Sequence, residues 1–137
     1  MSKAELVPQL DLYVQGALGK KAQSVVVLDV HALTSIGDVF IICGGRSNRQ
    51  VIAIADHIHR FLKDHGIRPL SIEGRKEGLW VLMDYGSVIM HIFYEETRVF
   101  YDLEGLWVDA PRLTFPGLEE DKQSLVEPLN GEEIIVD

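Results

Sequence analysis

The sequence predicts a single α/β or α+β domain, a mixed β-sheet flanked by helices, and three observations predict it. Two continuous β-branched runs, SVVVLDV at 24–30 and VFIIC at 39–43, read as buried strands. A strongly amphipathic stretch follows the second, with Val51, Ile54, Ala55, Ile58, Phe61 and Leu62 on one helical face. Two more apolar runs, LWVLMD and SVIMHIFY, overlap the short turn sequence DYGS and read as a hairpin.

Taken in order, Leu6, Leu10, Tyr13, Val14, Ala17 and Leu18 recur at helical spacing, so an N-terminal helix is expected, with Pro8 confined to its first turn. The two strands come next, joined by HALTSIGD. Ser47 or Asn48 is positioned to cap the amphipathic helix, and Gly66 stands just past its end. RPLSIEG supplies a short strand before the hairpin. EETRVFYDLEGLW then reads as one short helix beginning near Glu95 and ended by Gly105. The order α-β-β-α-β-β-β-α fits helices packed on a mixed sheet. Residues 1–107 form the expected domain. Residues 108–137, Pro-interrupted and then acidic, read as an extension that orders only on a partner.

Composition narrows the function. A chain of 137 residues with 47% hydrophobic and 25% charged side chains is that of one globular domain. No apolar run approaches the roughly 20 residues that span a bilayer, and MSKAELVPQLDLY has no secretory pattern, so a cytoplasmic protein without a membrane partner is expected. Cys43 is the single cysteine, which excludes an intramolecular disulfide. Of the net charge of −8, residues 118–137 carry −6 and the remaining 117 residues only −2. Direct sequence-specific nucleic-acid binding needs a basic stripe, and none is evident.

GGRSNR, between a strand and a helix, raises the question of a phosphate cradle, since a helix N-terminus favours anions. It is neither a P-loop nor a dinucleotide fingerprint. The next acid, Asp56, has no second carboxylate nearby with which to clamp Mg²⁺. A tight strand-to-helix turn is the plainer reading, and no catalytic or cofactor-binding residues are assigned. The competing possibility is a nucleotide-binding or nucleotidyltransferase-like enzyme using Gly44 and Gly45. His57 and His59 point about 200° apart on a helix and, with His65, read as a solvated face rather than a metal site.

The hairpin says more. With Tyr85 and Gly86 as its central residues, Trp80 is expected opposite His91 and Met83 opposite Val88. Val81, Met83, Val88, Met90 and Ile92 then share an aliphatic face suited to the core. Trp80, Leu82, Ile89, His91 and Phe93 share the other, whose composition suits an interface or, equally, a covered core. The nearby acids Glu73, Glu77, Asp84, Glu95 and Glu96 would favour a basic partner.

From about residue 17 to residue 107, most specifically in DVFIICGGRSNRQVIAIADHI, RPLSIEG, WVLMDYGSVIMHIF and FYDLEGLW, the sequence resembles the ribosomal silencing factor family, also called the iojap or YbeB family. The resemblance implies a nucleotidyltransferase-like shape without the catalytic acids. It also implies a repressor, not an enzyme, that binds the large ribosomal subunit through its basic ribosomal protein number fourteen. The bound factor would block joining of the small subunit and lower translation when nutrients are scarce. A homodimer is a further expectation, and self-association through the same face as a storage or assembly module is a third reading. Carried over by position, the partner-binding residues are Trp80, Asp84, Tyr85, Gly86 and His91. Arg46 stands where the family commonly has threonine, and the residues after Trp107 lie past the family's usual end.

Overall fold

The computed structural model describes residues 7–118. Helix α1 (Leu10–Leu18) precedes β1 (Gln23–Asp29), β2 (Val39–Gly45), helix α2 (Asn48–Asp64), β3 (Ser71–Glu73), β4 (Trp80–Asp84) and β5 (Val88–Tyr94). Two short helices, α3 (Glu95–Tyr101) and α4 (Leu103–Leu106), and a two-residue strand, β6 (Arg112–Leu113), follow. The strands form one mixed sheet in the order β3-β4-β5-β2-β1-β6. Only β2 and β5 run parallel, and the other neighbours are antiparallel. The α+β single domain expected from the sequence is therefore present, with α1 starting after Pro8 rather than around it. Leu6 lies outside the described residues.

The period-two alternation of the strands divides the interior into two layers. Val25, Val27, Ile41, Met83 and Met90 point to one face, where Val14 and Ala17 of α1 and Ile54, Ile58 and Leu62 of α2 cover them. Val26, Leu28, Phe40, Ile42, Ile89 and Phe93 point to the other, closed by Leu103, Trp107 and Ala110 from the C-terminal part. Helix α2 begins where Ser47, in extended backbone, accepts the Gln50 N–H at 3.1 Å. Gly66, at φ 80°, turns the chain away after its end.

Four local expectations need correction. Gly44 and Gly45 are not in a loop: they are the last residues of β2, paired with Phe93 and Tyr94. Their small size serves close packing, since a Cβ on Gly45 would stand 3.1 Å from Val51 in the first turn of α2. The hairpin register is displaced by two residues, with Trp80 opposite Phe93, Leu82 opposite His91 and Asp84 opposite Ile89. Asp84 accepts the Gly86 N–H at 2.8 Å and Gly86 adopts φ 89°, which widens the turn. A shift of two leaves every side chain on its expected face.

The single helix expected from Glu95 is broken at Asp102, which adopts φ 45° and caps α4 by accepting the Gly105 N–H at 3.1 Å. Gly105 thus lies inside the second helix instead of ending the first. Finally, residues 108–118 are not a free arm. The Asp29 N–H donates to the Pro111 carbonyl at 2.9 Å, β6 pairs with Val27 and Leu28, and Phe115 and Leu118 pack against the main core. Without this segment the outer edge of β1 would keep unpaired backbone groups and exposed aliphatic surface. The acidic stretch 119–137 lies outside the described residues.

Arg98 of α3 ties the C-terminal part to the sheet. It donates to the Gln23 and Ser24 carbonyls at 3.3 and 2.9 Å, at the irregular start of β1 where Ser24 adopts φ 49°. It also makes a two-pronged pair with Glu104 at 3.1 and 2.7 Å. Because the segment after Trp107 completes both layers, ending the chain there should lower unfolding stability by about 2–4 kcal/mol relative to a chain ending at Leu118. Urea unfolding of the two truncations checks this, and equal midpoints would contradict the packing.

Candidate functional site

The face of the sheet away from α1 and α2 carries the candidate residues. Trp80 begins β4, half-buried, with its ring stacked on Phe93 at 4.8 Å and inclined against Tyr101 at 5.0 Å. Its indole N–H donates to His91 Nδ1 at 3.2 Å. That bond requires an unprotonated Nδ1, so the proton of neutral His91 sits on Nε2, which is buried without a hydrogen-bond partner. His91 is 5% exposed and packs edge-on to Phe40 at 5.1 Å. Burial pushes its pKa down from 6.5 to about 4.

The five residues carried over from the family do not form one patch. Trp80 and Asp84 lie on the same face at opposite ends of β4, roughly 13 Å apart at the usual strand rise. Tyr85 crosses to the helix side, where it meets Tyr13 edge-on at 5.4 Å and packs against the main core. Burial raises its pKa, with the neighbouring Tyr13 adding to the effect. Gly86 shapes the turn, and His91 sits behind Trp80 instead of on the surface.

The sequence reading missed the most exposed apolar cluster. Phe100 is 79% exposed, and Val99, Tyr101, Leu106 and Val108 are also open to solvent. Between α3 and the segment leading into β4 lies a groove of about 630 Å³, lined by Trp80, Tyr94, Phe100 and Tyr101 together with Glu77 and Glu96. The available signal was VFY at 99–101, apolar residues in a helix too short to bury all of them.

The other candidates are engaged elsewhere. The Arg46 N–H donates to Gln50 Oε1 at 2.7 Å. The Arg46 guanidinium reaches the Gln23 amide oxygen at 2.6 Å, with the Gln23 nitrogen turned to Glu95. Asp56 accepts two bonds from Arg75, both 2.7 Å, which hold its carboxyl below the usual range and tie the chain after β3 to α2. His57 is half-buried, stacked on Phe61 at 6.0 Å, and burial lowers its pKa, so it is not simply part of a solvated face. Cys43 is fully buried, which pushes its thiol up to about 12 and makes it inert. Among the described residues, no group of three or more His, Cys, Asp or Glu is placed to hold a metal ion.

Unfolded His91 takes up a proton as the pH falls through 6.5, while the folded form resists until about 4. Its contribution to stability is therefore whole above 6.5 and drains away between those values, by roughly 3 kcal/mol at most. His91→Asn, which keeps an acceptor for the indole, should flatten this part of the stability–pH curve. Denaturant unfolding at intervals from pH 7 to pH 4 reads the difference, and identical slopes would contradict it.

Comparison with known proteins gives consistent matches. The family described as "Ribosomal silencing factor during starvation" (RsfS) matches residues 3–132, beyond the Trp107 boundary expected from the motifs. "Ribosomal silencing factor RsfS" of Halalkalibacterium halodurans is 40% identical over 118 residues, covering 86% of this chain and 98% of that protein. A crystal structure from Chromobacterium violaceum superposes with a TM-score of 0.71 at 33% identity, covering 85% of this chain and 93% of that one. A mouse protein named "Mitochondrial assembly of ribosomal large subunit protein 1" is 28% identical over 133 residues, covering 85% of this chain and 58% of that protein.

Proposed function

The chain belongs to the ribosomal silencing factor family, and from that premise we propose that it is a translational repressor acting by occupancy of the large ribosomal subunit. It docks on the basic ribosomal protein number fourteen, and its bulk fills space that the small subunit needs, lowering translation under nutrient limitation. The observation that carries this reading is the 40% identity along 98% of a protein named as a ribosomal silencing factor. The name of the mouse relative supports the large subunit as the partner. The proposed place of action is the cytoplasm. No helix among the described residues is long and apolar enough to cross a membrane.

Trp80, Asp84, Tyr85, Gly86 and His91 are the proposed partner-binding set, with different tasks. Trp80 and Asp84 offer an aromatic surface and a charge on one face. His91 fixes the indole orientation from behind, Tyr85 anchors the turn to the core, and Gly86 supplies its left-handed backbone. Catalysis forms no part of the proposal. Gly44 and Gly45 are strand residues, Arg46 is bonded to Gln50 and Gln23, and Asp56 is held by Arg75.

Co-sedimentation with purified large subunits, together with light scattering of subunit joining, tests the proposal. The wild-type chain should bind and slow joining. Trp80→Ala should weaken binding about thirtyfold or more, the usual consequence of truncating an interface tryptophan. It should also cost some stability, because Trp80 stacks on Phe93 and bonds His91. Asp84→Lys should weaken binding by setting like charges together. Normal binding by both folded variants would remove this face from the proposal, and no binding by the wild type would end it.

A further inference from the structure

The groove beside Trp80 has a chemistry more specific than a general docking face. We infer that it receives a long basic side chain, foremost an arginine, projecting from a basic protein segment of the partner. This deepens the large-subunit reading, on which the identity of the partner rests; the chemistry of the groove does not depend on it.

The walls are aromatic. Trp80, Tyr94, Phe100 and Tyr101 line a space of about 630 Å³, with the Trp80–Tyr101 and Phe100–Tyr101 rings each 5.0 Å apart between centroids. Phe100, at 79% exposure on a helix with no buried residue, contributes little to the core, and its placement there is unexplained by folding. Aromatic faces attract guanidinium and ammonium groups, guanidinium also by stacking, and the aliphatic stem of such a side chain suits an apolar wall.

The charge is one-sided. Glu77 and Glu96 are the charged residues of the lining, and no lysine or arginine joins them. Two nearby cations are committed elsewhere: Arg75 to Asp56, and Arg98 to Glu104 and the Gln23 and Ser24 carbonyls. Lys76 adjoins Glu77 in the chain but does not line the groove. An apolar ligand alone would leave two carboxylates facing it, and an acidic one would be repelled. A cation with an apolar stem satisfies both the rings and the carboxylates.

The test uses the full chain and two probes. In a nuclear magnetic resonance titration, a hexa-arginine peptide should shift the Trp80 indole N–H resonance saturably, while a hexa-glutamine peptide should not. Glu77→Gln/Glu96→Gln and Phe100→Ala should each weaken the effect at Trp80 at least tenfold with unchanged unfolding midpoints, since all three side chains are exposed. Following Trp80 separates the groove from peptide held by the acidic C-terminal stretch. No saturable shift at Trp80, or an equal response to hexa-glutamine, overturns the inference. In co-sedimentation with large subunits, the same variants should bind at least tenfold more weakly. If they bind as the wild type does, the inference falls and the large-subunit reading stands. If the wild type itself fails to bind, the large-subunit reading falls, and the peptide titration alone decides the groove.

Discussion

The parallel pairing of β2 with β5 is the constraint on which the rest of the structure depends. All seven residues of β2 and six of the seven in β5 are buried, so the centre of the sheet needs a cover on both faces. Helices α1 and α2 supply one. The other has no long helix, and it is assembled from Leu103, Trp107 and Ala110, with β6 fastening the segment to β1. The C-terminal part leaves much of its apolar surface, Val99, Phe100 and Leu106 among it, turned to solvent, and its cover leaves Trp80 half-buried at the margin.

In the proposed docking, that incomplete cover is what links fold to function. Trp80 is held by stacking on Phe93 and by its bond to His91, both inside the second layer, so its ring is fixed while part of it stays accessible. An aromatic side chain fixed in this way loses little freedom when a partner docks, which favours tight contact. The same arrangement leaves His91 neutral, at the cost of a buried Nε2–H without a hydrogen-bond partner. The acids around the groove and at Asp84 give the face a negative margin on a body that is otherwise close to balanced in charge.

Arg98 shows how one side chain can join several levels of the structure. It satisfies carbonyls at the irregular start of β1, pairs with Glu104, and so fixes α3 and α4 relative to the sheet. The position of Phe100 and Tyr101 beside Trp80 follows from that attachment. A partly buried ion pair with additional hydrogen bonds is well suited to specifying geometry, even where its net stabilisation is modest.

By itself the sequence determined the strands at 24–30 and 39–43, the α2 face, a cap at Ser47 or Asn48 and the division of hairpin residues between two faces, because each rests on local periodicity or capping chemistry. Its motifs also pointed to the family. Only the tertiary structure decided the hairpin register, since a shift of two preserves every face and the sequence pattern cannot distinguish the two pairings. The same holds for the docking of residues 108–118, which depends on Asp29 and β1 being brought close, whereas the break at Asp102 is a local cap toward Gly105 that the helical spacing masked. Gly44 and Gly45 looked like a loop because glycine signals freedom, whereas here it signals close approach of β2 to α2 and Arg98. The groove was illegible for a similar reason: its walls come from positions about 20 residues apart, and no local pattern says that they meet.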